Sequence, residues 1–295
     1  MKNNHILKRE EPAFKDVVLE CGFFFYSKKL KSKVLLIMDK NSVIGVILAF
    51  VALVTGMVLK GVALGALLNG AAFLIIFAGT GAAILIATTT KTIKKFPALL
   101  KVIFKESSGN GMVDFISQFA DWADVARKEG LLALEDKAND VDDAFMKSGL
   151  MMAIDGKTPE FIRDVMLEEV DAIEERHSNN AEIFTKIGTF APTLGVLGAA
   201  VGLMAALGHM EDTAALSHSI SAAFVATIYG IFLGYVIAHP LASKLKEKTK
   251  IEMSEKRIVI EGVLSLCDGQ SSSDVKRKLM VYIPVSERGQ LQEEE

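Results

Sequence analysis

Charge is missing from four long stretches of this chain. Val43–Leu59, Ala71–Thr88, Ile187–Leu207 and Ser219–Ala238 contain no Asp, Glu, Lys or Arg. Each has the roughly 17–25 apolar residues needed to cross ~30 Å of hydrocarbon. The absence of carboxylates excludes a proton acceptor supplied by this chain at mid-membrane. Such groups cost about 2.5–3.5 kcal/mol or more to bury and normally mark proton paths. If the chain conducts ions, a partner must bring the carboxylate. Cysteine is scarce too: Cys21 and Cys267 have no partner spacing, which excludes a disulfide framework and fits reduced thiols on the cytoplasmic side. A net charge of -3 and the lack of any RNA or DNA motif exclude a nucleic-acid surface. No nucleophile-base constellation, phosphate loop or metal spacing stands out, so neither an enzyme nor a cofactor is expected. His209, Glu211, Asp212 and His218 gather near one hairpin tip but read as a solvated loop rather than a metal site. His177 reads as an exposed helix residue and His239 as an interfacial one beside Pro240.

Apolar residues, by contrast, make up 51% of the 295, and the mean hydropathy is +0.34. Concentrated spans explain such values better than a large soluble core does. The expected fold is all-α: a polytopic membrane protein with four transmembrane helices and a helical cytoplasmic domain. Lys91, Lys94, Lys95, Lys101 and Lys105 follow the second span, and Lys244, Lys246, Lys248 and Lys250 follow the fourth. The connector after the first span holds only Lys60, and His209–His218 has no Lys or Arg. The positive-inside rule therefore puts both termini and the long middle segment in the cytoplasm of an inner-membrane protein.

Residues 1–37 fit this scheme poorly. Gly22–Tyr26 is apolar but too short to span, and Lys28, Lys29, Lys31 and Lys33 follow it. Met38 opens a cleaner start, so residues 1–37 read as an over-called extension or a disordered tail. The remainder divides into spans one and two (38–90), a cytoplasmic helical domain (91–186), spans three and four (187–240) and cytoplasmic C-terminal helices with a tail (241–295).

In the middle segment, Ser107–Gly111 is a turn cluster. After it Val113, Ile116, Ala120 and Ala123 recur at helical spacing up to Arg127, with Gly130 as a stop. Leu131–Ala144 begins another helix, and Thr158-Pro159 is an N-cap and first-turn pair. The acid-rich helix that follows runs toward the third span, with Ser178-Asn179-Asn180 as a candidate break. From Ser107 to Lys186 there are 18 acidic and 8 basic side chains, an acidic and largely solvated surface. Beyond the fourth span, Ile251–Leu266 is amphipathic. A short helix over Ser273–Tyr282, capped by Ser273, ends at Pro284.

The third span holds a proline, four glycines and two threonines within Gly188–Gly202. An anchor alone would be better served by leucine. Small residues let helices approach closely, and Pro192 frees the carbonyl of Gly188. Gly198-x-x-x-Gly202 and Gly230-x-x-x-Gly234 give the last two spans small-residue faces, while the first two are bulkier and suit lipid. Pro192 and Pro240 should lie near one membrane depth, a hinge level. Thr189, Thr193, Ala199 and Thr227 form a small or hydroxyl-bearing lining.

These segments carry a resemblance. From Met38 onward the chain is similar to the flagellar-stator branch (MotA) of the MotA/TolQ/ExbB proton-channel family, in its short Gram-positive form. The match rests on Asp39–Lys60, Val125–Glu135, Phe161–Asp164, Ala191–Gly202 and Ser221–Pro240. The resemblance implies a stator subunit that converts ion flow into torque on the rotor. It implies a ring of about five copies around a MotB-type partner that supplies the missing aspartate. The family's charged contacts for the rotor protein FliG fall on Arg127 and Glu135. Its functional prolines fall on Pro192 and Pro240, and its channel-facing threonine on Thr227. Sodium-driven relatives carry threonine where this chain has Ala199, so one oxygen ligand for a hard cation is missing and protons are favoured. The alternative is an ExbB/TolQ-like energiser of another machine, for which three spans would be expected.

Overall fold

A computed structural model describes residues 39–105, 111–285 and 288–289; the readings for residues 1–37, Cys21, the Ser107–Asn110 turn and the extreme C-terminus lie outside these. The described elements are helices: α1 (Lys40–Leu59), α2 (Gly70–Ala87), α3 (Thr90–Phe104), α4 (Gly111–Glu129), α5 (Glu135–Asn139), α6 (Ala144–Ile154), α7 (Pro159–Leu207), α8 (Thr213–Cys267) and α9 (Ser272–Leu279). Four of them, α1, α2, α7 and α8, are long and apolar enough to cross a membrane. The all-α polytopic fold is therefore present.

Helices α7 and α8 dominate the architecture. With 49 and 55 residues, they run about 73 Å and about 82 Å as an antiparallel pair. One half of each is apolar and long enough to span, and the other half forms the scaffold of a helical domain. Ser178-Asn179-Asn180 does not break α7. Three polar residues cost little in a helix whose neighbours Ala181, Ile183 and Phe184 are buried on one side. Thr158 caps α7 as read, its hydroxyl accepting the Phe161 N–H at 3.3 Å with Pro159 in the first turn.

The core of the helical domain gathers one stripe from each of five helices: Ile116, Phe119 and Trp122 of α4, Met146 and Leu150 of α6, Ile162, Met166 and Val170 of α7, Val263 and Leu264 of α8, and Val275 and Leu279 of α9. Glu168, Glu169, Asp171, Glu174 and Glu175 stay exposed on the opposite side of α7. Two expectations are corrected. Leu131–Ala144 is not one helix but a 3₁₀ turn (Leu131–Leu134), α5 and α6, because Asp143 stops the chain and caps α6 through the Met146 N–H at 2.8 Å. The last helix is capped by Ser271, not Ser273; with the 3₁₀ turn that follows Leu279 it reaches Tyr282, as expected, before Pro284.

Where the spans meet the helical domain, lysines of the two long helices secure the shorter ones. Lys186 of α7 donates to the Ala87 carbonyl, 3.2 Å away, at the end of α2. Lys248 of α8 donates to the carbonyls of Val102 (2.7 Å), Ile103 (3.2 Å) and Lys105 (2.5 Å), capping α3. Cations at helix C-termini satisfy orphan carbonyls and the helix dipole together. Burial there pulls the Lys248 amine below its ordinary value, against the attraction of Asp39. Asp39, just ahead of α1, pairs with Lys244 at 2.7 Å and accepts from the Ser42 hydroxyl at 2.5 Å; its own N–H donates to Phe104 at 2.7 Å. Lys186, Lys244 and Lys248 thus fasten the short helices to the long ones.

Burial alone would raise the Asp39 carboxyl, but Lys244 and Ser42 outweigh it and hold it below its usual value of 3.8. A depressed carboxylate contributes stability that is complete above the unfolded-state value and disappears as pH falls through the lower folded value. Lys244→Met should therefore lower stability by about 2 kcal/mol at neutral pH. Thermal unfolding of wild type and variant should converge once acid protonates Asp39.

Candidate functional site

Where α7 and α8 cross the membrane, they touch through glycine. A methyl group built on Gly230 would lie 2.6 Å from the Ala191 carbonyl oxygen and 2.9 Å from the Gly195 Cα. One on Gly198 would meet the Ala226 methyl at 2.8 Å, and one on Gly202 the Ala223 methyl at 2.8 Å. Real side chains do not approach this closely, so the contact is backbone against backbone, as small-residue packing permits in lipid. Gly195 and Gly188 belong to this face although neither is part of the two Gly-x-x-x-Gly motifs. Their signal was spacing: with Ala191, Gly198 and Gly202 they recur every three or four residues along one side of α7.

Pro192 lies on the same seam. A methyl group on Gly234 would fall 2.6 Å from the Pro192 ring and 2.8 Å from the oxygen of Gly188, the carbonyl that Pro192 leaves without its helical donor. Only glycine lets α8 come so near that oxygen. One turn further in, Gly188 faces the His239 ring, which stacks on Tyr235 at 5.4 Å. Pro192 thus lies level with Gly234, whereas Pro240, six residues further along α8 and beside His239, lies well over one turn away, so the two prolines do not share the one depth expected of them.

Opposite Pro192, α8 itself widens into a π-helical turn over Phe232–Ala238, and α2 has another over Leu74–Ala78. The α2 turn packs against α7 beside the seam, with Ile75 near Gly198 and Gly79 near Leu194. Such wide turns loosen the carbonyl ladder and recur at functional positions. Periodicity could not reveal them, because a single inserted residue leaves the apolar pattern intact. The adjacent Thr80 is buried, and its hydroxyl has no hydrogen-bond partner among the described residues.

The threonines differ in access. Thr193 is exposed and donates to the Thr189 carbonyl at 3.0 Å, while half-buried Thr227 donates to that of Ala223 at 3.3 Å. Both keep lone pairs to offer. Ala199 is half-buried. Large apolar residues including Val196, Leu203, Phe224 and Tyr235 remain exposed on the paired spans, and α1 exposes Ile44, Leu48 and Phe50. These surfaces need lipid or other polypeptide around them.

At the far end of the molecule, Arg127 is in the last turn of α4 and Glu135 opens α5; both are exposed. Gly130 turns the chain between them at φ +86, a left-handed conformation that favours glycine. Between the two charges Leu132 is 71% exposed, an apolar tip that charge-based reading missed. Among the described residues, neither Arg127 nor Glu135 joins an ion pair, and no three His, Cys, Asp or Glu side chains converge as metal ligands. Asp212 instead caps α8 through the Ala214 and Ala215 N–H groups.

Gly230→Ala should wedge the two spans apart at a cost of about 1–3 kcal/mol. Gly45→Ala, where nothing lies within 4 Å, should be tolerated. Thermal unfolding of the purified membrane protein separates these outcomes.

The geometry has close counterparts. Residues 137–258 match the MotA/TolQ/ExbB proton channel family. Motility protein A of Bacillus subtilis is 58% identical over 251 residues, covering 85% of this chain and 93% of that protein. The flagellar MotAB stator complex from Bacillus subtilis superposes with a TM-score of 0.82 at 57% identity, over 86% of this chain and 99% of that one. The MotAB structure from C. jejuni gives 0.80 at 31% identity, over 84% and 97% respectively. A four-span helical chain with this seam, alike over nearly the full length of such relatives, belongs to the MotA/TolQ/ExbB proton channel family.

Proposed function

We propose that this chain is the stator subunit of a bacterial flagellar motor, conducting protons together with a MotB-type partner and turning their flow into torque. The observation that carries the reading is the glycine-packed α7/α8 seam. It holds no carboxylate of its own, yet both helices continue without a break beyond the spans into the helical domain. The partner's single membrane helix would bring the aspartate that this chain lacks. About five copies would surround it, in the inner membrane with both termini inside. The exposed apolar faces of the spans support such a ring.

Each residue then has a physical task. A proton moving down the membrane potential releases about 2.3 kcal/mol per 100 mV. Neutralising the partner's aspartate removes a charge from among these spans. Thr193 and Thr227 offer hydroxyl oxygens along the path, and Ala199 withholds one, favouring protons over a hard cation that needs more ligands. The seam repacks about Pro192 and Pro240, where the Gly188 carbonyl and the wide turn of α8 reduce the number of helical hydrogen bonds opposing a bend. Because α7 and α8 are unbroken, a tilt in the membrane becomes a displacement of the cytoplasmic part. Arg127 and Glu135 would engage complementary charges on FliG, and Leu132 would desolvate between them.

The test is charge reversal. Arg127→Glu together with Glu135→Lys should abolish or strongly reduce swimming at unchanged protein level, and complementary reversals on the rotor protein should restore part of it. Unimpaired swimming of the double variant would refute the rotor-contact assignment.

A further inference from the structure

We propose that the lysine stripe of α3 is a docking surface for the anionic phosphate headgroups of the adjoining membrane leaflet. Helix α3 carries Lys91, Lys94, Lys95 and Lys101 and no acidic residue. All four are exposed, and among the described residues none joins an ion pair. Their spacing puts them along one side of a helix about 22 Å long.

The opposite side of α3 is fully employed. Leu99 and Ile103 are buried with Ala181, Ile183, Phe184, Ala242 and Leu245 of the long helices, and the Phe96 ring stacks on Phe184 at 5.2 Å. The helix is therefore not an amphipathic segment waiting to insert its apolar face into lipid. Nor are its lysines needed to cap it, since Lys248 of α8 already supplies that charge at its C-terminal carbonyls. Four cations are left facing outward with no role in the protomer.

Both ends of α3 are fixed beside the membrane. It starts three residues after Ala87, the end of one span, and its last carbonyl, on Phe104, accepts from the N–H of Asp39, the residue that opens another. A helix tethered at each end to a span lies along the membrane boundary, within lysine reach of the headgroups. Exposed lysines in that position gain from the negative leaflet potential, and the gain is screened by salt. Chemically the surface fits phosphate oxygens, and its length fits several headgroups rather than one. The lipid contact would hold the peripheral helices steady while the α7/α8 seam moves; this last point rests on the stator reading above, whereas the lipid binding itself does not.

The experiment uses the full chain with its MotB-type partner in nanodiscs of phosphatidylcholine mixed with phosphatidylglycerol, followed by native mass spectrometry of the lipids retained after extraction. Wild type should retain phosphatidylglycerol several-fold above its bulk share, and high salt before extraction should remove that enrichment. Replacing Lys91, Lys94, Lys95 and Lys101 together by Gln should bring retention to within about twofold of bulk, while the same four replaced by Arg should keep it. Equal retention in wild type and the Gln variant would overturn the proposal, as would no preference in wild type. Displacement of the lipid by soluble glycerol phosphate would assign the surface to a free phosphate and equally overturn it. Should the Gln variant fail to insert, the salt dependence of wild type decides alone.

Discussion

Backbone contact between α7 and α8 is the constraint on which the rest of the structure depends. In lipid, apolar side chains gain little by meeting one another, so two helices stay together through close van der Waals packing. Gly195 against Gly230, Gly198 against Ala226 and Gly234 against Pro192 give that closeness along one seam. A seam of small residues holds two helices without interlocking them, because no large side chain need leave a pocket when they slide or tilt. The same residues that stabilise the pair therefore leave it able to repack. Pro192 and the wide turn of α8 fall on this seam.

A seam that can shift is useful only if the shift reaches something. Continuous α7 and α8 would accomplish this, since their halves beyond the spans build the core that carries α4, α6 and α9. Gly262 of α8 meets the Phe119 ring of α4 so closely that an added methyl group would fall 2.6 Å from it. Lys278 of α9 pairs with Glu261 at 2.7 Å, and Lys256 lies 4.5 Å over the Phe145 ring of α6. The α4 end bearing Arg127 is thereby fixed to the levers. Meanwhile Lys186, Lys244 and Lys248 tie α2, α1 and α3 to the same two helices at the membrane edge. The protomer is two long levers with the smaller helices fastened to them.

Much of this was legible in the sequence because membranes impose a coarse grammar. Uncharged runs such as Val43–Leu59 define spans, and Thr158-Pro159 and Gly130 mark a helix start and stop. What failed was local competition. Asp143 captured the chain and split an apparently continuous helix, whereas Ser178-Asn179-Asn180 were carried through by buried neighbours. The glycine seam was half visible: the two motifs announced it, but Gly188 and Gly195 gained meaning only when α8 was seen opposite. The lysines were read by their count and not by their partners, since a lysine reaching a carbonyl more than 140 positions away leaves no trace in spacing. Arg127 and Glu135 were located by family resemblance, not by pattern, and the exposed Leu132 between them required the fold.

The account's central claim is that this family member drives rotation with protons. Cells lacking their own stator but bearing flagella, supplied with this chain and its MotB-type partner, should swim in sodium-free medium and stop when a protonophore is added. Swimming only after sodium is restored would contradict the proton assignment at Ala199. Absence of swimming in both media, with the protein present in the membrane, would contradict the stator reading itself.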